Sequence, residues 1–357
     1  MKKSVSYFAA FFFVATLVFV QTAQALDFAR LENCPTAVKR AYGGIAIRPL
    51  PDGRLLIWDG DALYVQKLLS GDGYDRIASG YIGDTGFMAI APDGHTVLLG
   101  AGFSGKLYRF DARMPADYTP VADLGVVPYH YWGAFLTDTL VVIDKKTDDY
   151  TADELAIIDV TKPDLGRKRV MLKPAVSEIP VGGSAWSTAL AVDGERTYLY
   201  AMALVYDEWY ALVGNQLKRL PVSALINAYN LDTLLDWDAD ADAHAIGLPT
   251  AFLSGGPVEV MASGDLLVVG NGGIQQVRPT TAAIIDTYAP AGDVYYGVAY
   301  NPSTGDILPI ATDTTGLTLD LVYAPEGRFQ PLPVLDGVAL TGLIAALAIA
   351  AKRRLYP

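Results

Sequence analysis

The sequence predicts an all-β protein in which one unit of short antiparallel strands is repeated along the chain. Two stretches, 44–65 and 87–110, share the same order of an apolar strand, an Asp-Gly turn, a second apolar strand and a third strand. Ala46 and Ala89 hold the same place in the two units and are 43 residues apart. Four short strands in roughly 40–50 residues are typical of one blade of a β-propeller.

Weaker copies of the unit follow and bring the count to six. They begin near residues 132, 187, 258 and 296, so that residues 36–331 hold six units of about 49 residues. The predicted fold is therefore a β-propeller of six four-stranded blades, with seven blades as the alternative. A β-sandwich pair or a β-helix is also built from short strands, but the blade-length period and the Asp-Gly turns favour the propeller. Because an open ring would expose strand edges, residues 26–42 are expected to supply a closing strand to the last blade.

The stretch 221–247 breaks the period and is predicted to be a helical and acidic insertion within the propeller domain of residues 26–331. Its apolar residues recur at helical spacing: Ala224, Ala228, Leu231 and Leu235. Ser223 is the expected N-cap.

Four aspartates alternate along the end of this insertion: Asp236, Asp238, Asp240 and Asp242. Alternate carboxylates resemble the first half of a calcium loop, since Ca²⁺ binds six to eight oxygen ligands. The sixth position is Ala241 instead of Gly and the twelfth is Gly247 instead of Glu, which argues against an EF-hand. Two interpretations stay open, a weak Ca²⁺ site completed from elsewhere and a solvated acidic loop.

Residues 1–25 are predicted to be a secretory signal peptide. Lys2 and Lys3 precede an apolar run of 14 residues, 7–20, and Ala23-Gln24-Ala25 forms a cleavage site before Leu26. A membrane-spanning helix needs roughly 20 apolar residues, so the run is short for a permanent anchor.

The C-terminal segment, 332–357, is predicted to hold a short motif, a transmembrane helix and a basic tail. The strictly apolar run, 338–351, has 14 residues and would be about 21 Å long as a helix. A hydrocarbon core is roughly 30 Å thick, which favours transient over permanent anchoring. A basic cluster after the helix is expected to stay cytoplasmic. The alternative is a plain, permanent anchor for a sensor domain.

The C-terminal layout resembles the sorting domains of exported Gram-negative proteins, in particular the IPTL-CTERM family, which is related to PEP-CTERM. The residues that carry this resemblance are Pro333, Val334, Leu335, Asp336 and Gly337, followed after the helix by Lys352, Arg353 and Arg354. The likeness covers about 25 residues, and Val338 stands where the family commonly has Trp. It implies recognition and cleavage by an exosortase-like membrane protease.

The blade pattern of the central 300 residues or so resembles the NHL, SMP-30 and YVTN type of exported propeller.

Charge and cysteine content bound the partners. The net charge is −12, which argues against nucleic-acid binding. Loss of Lys2 and Lys3 would make it −14, and loss of residues 336–357, with one acid and three bases, would make it −16. Such a domain is expected to attract cations or basic partners. Cys34 is the only cysteine, so the chain cannot form an internal disulfide.

Propellers bind ligands around the central channel, where the inner strands begin, which is an analogy at the level of fold. The candidate ligand-binding residues there are Asp84, Tyr129, His130, Trp132, Trp186, Glu259, Asp293 and Tyr296. Acidic and aromatic groups together suit a sugar or a cation. The alternative is that most of these aromatic side chains fill the cores of the blades.

Catalytic signatures are sparse. The chain has three histidines and lacks G-x-S-x-G, Walker, G-x-G-x-x-G and C-x-x-C motifs. We therefore expect an exported binding or scaffold module for a protein or polysaccharide, sent across the inner membrane of a Gram-negative-type cell to its surface or matrix. The alternative is a Ca²⁺-dependent, lactonase-like hydrolase with its metal on Asp84, Glu259 and Asp293.

Overall fold

The computed structural model describes the residues that form the strands, their tight turns and one helix, in some places by backbone only. These residues are 28–30, 46–58, 62–67, 74–79, 86–101, 105–113, 122–126, 132–146, 153–162, 184–209, 211–233, 235, 242–244, 258–270, 273–281, 283–288, 294–312 and 320–325.

The described strands form six antiparallel sheets, numbered here along the chain. After β1 (Phe28–Arg30), sheet 1 contains β2 (Ala46–Pro49), β3 (Leu55–Trp58), β4 (Ala62–Gln66) and β5 (Tyr74–Ser79). Sheet 2 contains β6 (Phe87–Ile90), β7 (Thr96–Ala101), β8 (Lys106–Asp111) and β9 (Ala122–Val126). Sheet 3 contains β10 (Gly133–Phe135), β11 (Leu140–Lys146) and β12 (Asp153–Asp159).

The second half of the chain continues the same up-and-down order. Sheet 4 contains β13 (Ser184–Val192), β14 (Tyr198–Tyr206), β15 (Leu212–Pro221) and, after helix α1 (Val222–Leu231), β16 (Asp242–His244). Sheet 5 contains β17 (Glu259–Val260), β18 (Leu266–Gly270), β19 (Gly273–Arg278) and β20 (Ala283–Tyr288). Sheet 6 contains β21 (Val294–Asn301), β22 (Asp306–Thr312) and β23 (Asp320–Pro325).

Sheet 6 is completed by the other end of the chain. Strand β1 pairs antiparallel with β23, with Phe28 opposite Pro325 and Arg30 opposite Tyr323. The expected closing strand from residues 26–42 is therefore confirmed. Since this pairing joins residues nearly 300 positions apart, it ties the two ends of the described chain together.

The sheets pack face to face because both faces of their strands are apolar. In β3, Leu56 and Trp58 pack in the hydrophobic cluster between sheets 1 and 2. The alternate residues Leu55 and Ile57 pack between sheets 1 and 6. This alternation is the two-residue period of a β-strand with both faces buried.

Six such clusters join the sheets into a closed ring. Each of five clusters lies between two sheets that are consecutive in the chain, and the sixth joins sheet 6 to sheet 1. Consequently both faces of every sheet are covered by a neighbouring sheet. Full closure removes the open sheet face that would otherwise be exposed to water.

The first turns of sheets 1 and 2 are the predicted Asp-Gly turns. Gly53 and Gly94 have φ of +87° and +77°, in the left-handed region that favours glycine. In the second turn, Asp93 Oδ1 accepts hydrogen bonds from the backbone N–H groups of His95, at 2.9 Å, and Thr96, at 2.8 Å. The aspartate therefore fixes the turn while glycine permits its backbone conformation.

These turns also contact one another around one end of the ring, which we call the turn face. Ser303 Oγ donates to the carbonyl oxygen of Pro51 at 3.0 Å, from sheet 6 to sheet 1. A Cβ at Gly94 would lie 2.5 Å from Pro51 Cγ, so the turns of sheets 1 and 2 touch as well. Arg196, in the turn of sheet 4, donates to the carbonyl oxygen of Phe135 in sheet 3. The turns thus link neighbouring sheets at these three places.

The predicted helix in the insertion is present, but two of its details are wrong. Pro221, not Ser223, is the N-cap residue, because the helix begins two residues earlier, directly after β15. Leu231 is 71% exposed and is not part of the buried stripe. The buried face instead carries Val222, Leu225, Ala228 and Tyr229, which pack in the cluster between sheets 3 and 4.

The membrane segments proposed from the sequence lie outside the described residues. These are the signal peptide of residues 1–25, the sorting motif Pro333–Gly337, the apolar run and the basic residues Lys352, Arg353 and Arg354. Within the part of the chain that the structure describes, no helix has the length and apolar character needed to cross a membrane.

Candidate functional site

The first strands of the six sheets together surround the axis of the ring. Strands β2, β6, β10, β13, β17 and β21 each lie beside the first strands of the two neighbouring sheets. The side chains that line the centre of the ring therefore come from these six strands.

One position on these strands is equivalent in all six sheets. It lies two residues before the residue that pairs across the first turn, such as Leu50 in sheet 1. The strand registers place six residues there: Arg48, Ala89, Ala134, Ala191, Glu259 and Ala299. Four sheets have alanine, and the other two have charges of opposite sign. The four alanines pack in the hydrophobic clusters between sheets, whereas the two charged side chains reach each other from sheets 1 and 5.

Arg48 and Glu259 form an ion pair between sheet 1 and sheet 5. Arg48 Nη1 donates to Glu259 Oε1, and their side chains are only 22% and 17% exposed. Arg48 Nε donates to the carbonyl oxygen of Met88 on β6 at 2.9 Å, and Nη1 also faces the carbonyl oxygen of Ile47 at 3.2 Å. One guanidinium thus contacts the first strands of sheets 1, 2 and 5 at once.

The environment of Glu259 disfavours its charge. Burial raises the pKa of Glu259, and the charge and hydrogen bond of Arg48 offset only part of that increase. A carboxylate whose pKa is raised by burial and held by one specific cation is typical of functional sites, although structural ion pairs show it too. The Arg48–Glu259 pair is therefore the best-defined candidate site on the axis.

Glu259 is the predicted channel residue that this site contains. Of the other candidates, Trp132 precedes β10 and packs against the hydrophobic cluster between sheets 3 and 4, while its backbone N–H donates to Asp144 Oδ1 at 2.5 Å. Trp186 and Tyr296 lie on β13 and β21, whose backbones alone are described there. Four candidates lie outside the described residues: Asp84, Tyr129, His130 and Asp293. Ligand binding by this set stays a prediction.

The alternating aspartates are only partly described. Asp242 begins β16, the outer strand of sheet 4, and its backbone pairs with that of Arg219. Asp236, Asp238 and Asp240 lie outside the described residues. Among the residues that the structure describes, no group of three or more His, Cys, Asp or Glu side chains is arranged to hold a metal ion.

Arg48 is the functional candidate that the sequence reasoning missed. The sequence pattern does not single it out, because it lies within an otherwise apolar strand, between Ile47 and Pro49. Aligning the six units on their turns would have found it, because Arg48 and Glu259 are the charged residues at a position where the other units have alanine.

The closed ring of antiparallel sheets, each with its first strand on the axis, defines the class of protein as a β-propeller. Comparison with solved structures supports this fold, and 735 chains are similar. A luciferin-regenerating enzyme superposes with a TM-score of 0.55 at 10% identity, over 85% of this chain and 96% of its own. The propeller domain of Cps50 (Swd1) from Myceliophteria thermophila gives a TM-score of 0.48 at 12% identity, over 80% of this chain and 98% of its own.

Sequence comparisons do not identify a family for this chain. No family model matches the chain, and no curated protein is similar to it. At 10% identity, the likeness to the luciferin-regenerating enzyme shows the fold alone.

Proposed function

We propose that this protein is an exported six-bladed β-propeller that acts as a binding or scaffold module at the surface or in the matrix of a Gram-negative-type cell. Its C-terminal segment, 332–357, holds it in the inner membrane until an exosortase-like protease removes the tail. The proposed ligand is a protein or a polysaccharide, and nucleic acid is not a partner. Six described sheets support a count of six blades.

The position of the ring between the two terminal segments carries this proposal. The first described strand begins at Phe28, two residues after the predicted cleavage before Leu26, and the last ends at Pro325, before the sorting motif at Pro333. Removal of both terminal segments would therefore leave every described strand in place, including the β1–β23 pairing that closes sheet 6.

Mass spectrometry of the protein recovered from the producing cell and its medium tests this proposal. The expected exported form begins at Leu26 and lacks Lys352–Arg354. A matched control replaces these three basic residues with glutamine, which should leave the signal peptide cleaved but disturb retention in the membrane before processing. Full-length tail in the membrane fraction alone would overturn the sorting proposal and favour a permanently anchored sensor.

The alternative function, a Ca²⁺-dependent hydrolase of the lactonase type, makes a different prediction. Glu259 does not fit a calcium ligand as the structure stands, because its carboxylate is held by Arg48, which a cation would have to displace. Thermal unfolding in 1 mM Ca²⁺ and in chelator separates the two functions. A ligand at one hundred times its Kd adds about 2.7 kcal/mol of stability, so a clear Ca²⁺ shift would favour the hydrolase.

A further inference from the structure

The hairpin of β14 and β15 is longer than its counterpart in the next sheet. Counted from equivalent positions at the turn face, β14 runs eight residues from Leu199 to Tyr206, and β18 runs five from Leu266 to Gly270. Three more residues at about 3.3 Å each extend the hairpin by about 10 Å. Its tip therefore extends beyond the corresponding hairpin of sheet 5, at the end of the ring opposite the turn face.

The projecting tip exposes a tryptophan. Trp209 is 81% exposed, the largest value among the large apolar side chains of the described residues. An indole has a large apolar area, so its exposure forgoes the free energy that burial would give.

The turn fixes the backbone of this tryptophan. Asp207 Oδ1 accepts hydrogen bonds from the backbone N–H groups of Trp209, at 2.9 Å, and Ala211, at 2.8 Å. The N–H of Asp207 also donates to the carbonyl oxygen of Ala211 at 3.0 Å. A side chain whose backbone is already ordered loses less entropy when it binds, so this arrangement is preorganised for contact.

The charge around Trp209 indicates what it contacts. Glu208 is exposed beside it, and the whole chain carries a net charge of −12. A lysine or arginine side chain over the indole face gains a cation–π interaction, and a neighbouring carboxylate adds an ion pair. The acidic field of the domain also draws basic partners toward the surface.

We propose that the tip of this hairpin, Asp207–Trp209, is the contact site for a lysine- or arginine-bearing segment of another protein. An exposed hairpin tip does not enclose a ligand, whereas small-molecule sites are concave and enclose most of theirs, which favours a macromolecular partner. The inference deepens the proposed binding role by naming the chemistry of a partner. It rests on that role only in assuming that the propeller binds other molecules.

Fluorescence anisotropy with a labelled hexalysine peptide tests the contact on the full chain. We expect hexalysine to bind with salt-sensitive affinity, and hexaglutamate not to bind. Trp209→Ala should weaken binding about tenfold, Glu208→Gln severalfold, and Trp209→Phe less than Trp209→Ala, because phenylalanine keeps a weaker cation–π surface. Leu231→Ala is the matched control: Leu231 is also exposed, at 71%, but lies at the end of α1, and its loss should not change binding.

Two results would overturn the proposal. If Trp209→Ala bound hexalysine as the unaltered chain does, the attraction would be a general effect of acidic charge. If chitohexaose bound at Trp209 with no dependence on Glu208 or salt, the tip would be a carbohydrate site. Either result would leave the export proposal standing, because mass spectrometry of the processed chain tests that separately.

Discussion

The two ends of the ring are built on opposite principles. At the turn face and the nearby axis, polar groups are paired. Asp93 accepts hydrogen bonds from backbone N–H groups of its own turn, and Arg48 forms an ion pair with Glu259. At the opposite end, the β14–β15 hairpin projects into water with Trp209 exposed. The polar groups of Asp93, Arg48 and Glu259 thus have partners within the protein, whereas the projecting tip offers an apolar group with none among the described contacts.

This difference separates residues that hold the ring from residues that are free to bind. A substitution at the axis or turn face should change stability, since those residues either fix a turn or connect different sheets. A substitution at the hairpin tip should change binding and leave stability nearly unaltered. The substitutions below test that division, from the largest expected effect to the smallest.

Replacing Arg48 with methionine should have the largest effect on stability. It would leave the Glu259 carboxylate buried without its cation, which typically costs about 3–5 kcal/mol. The double variant Arg48→Met/Glu259→Leu removes both charges and should be nearly neutral. Urea unfolding at pH 7 measures both, and an equal loss in the single and double variants would show that packing, rather than charge, is what Arg48 provides.

The same pair predicts a direction of pH dependence. The folded-state pKa of Glu259 is raised above its unfolded value, so its contribution to stability is present below the unfolded pKa and lost as pH rises through the folded pKa. Removal of Arg48 takes away the charge that lowers this pKa, and raises it further. The deficit of Arg48→Met should therefore shrink on acidification toward pH 4, whereas the double variant should show no such recovery.

Two glycines of the turn face provide a matched pair with a smaller effect. Gly53 and Gly94 both have positive φ, but a Cβ at Gly53 meets nothing within 4 Å, while one at Gly94 lies 2.5 Å from Pro51 Cγ. Gly53→Ala should cost about 1–2 kcal/mol from backbone strain alone. Gly94→Ala should cost about 1 kcal/mol or more beyond that, because the turn of sheet 1 must move. Equal losses in thermal unfolding would argue that the two turns do not press on each other.

Asp93 tests the turn face by titration, with the sign opposite to that of Glu259. Burial alone would raise the pKa of Asp93, but hydrogen bonds from Thr96 and His95 outweigh it, so the net pKa is lowered. Its contribution to stability is therefore present above the unfolded pKa and lost as pH falls through the folded pKa. Asp93→Ala should cost about 1 kcal/mol at pH 7, as loss of a comparable capping side chain does. A deficit that persists unchanged at pH 2 in urea unfolding would contradict this account.

The repeat was predictable because its signals are local. Each unit carries apolar alternation and a turn with a fixed chemistry, such as Asp52-Gly53, and these properties do not depend on the rest of the chain. The closing strand at Phe28–Arg30 was also predictable, because a propeller without one would leave an edge open.

The helix boundary and the axial ion pair were harder to predict because they depend on three-dimensional neighbours. Ser223 is a good N-cap by type, yet β15 continues to Pro221 and the helix begins immediately after it. Leu231 fits the helical period, but it is the last residue of the helix and lies outside the buried face that packs in the cluster between sheets 3 and 4. Arg48 and Glu259 are 211 residues apart, and only the ring brings them together.

Replacing Trp209 should have the smallest effect on stability of the substitutions considered. At 81% exposure it has little packing to lose, so Trp209→Ala should change the free energy of unfolding by less than about 0.5 kcal/mol. Urea unfolding beside Arg48→Met under the same conditions measures the contrast directly. A loss comparable to that of Arg48→Met would mean that the indole packs against the ring. An unchanged free energy of unfolding together with a loss of hexalysine binding would show that Trp209 serves binding and not stability.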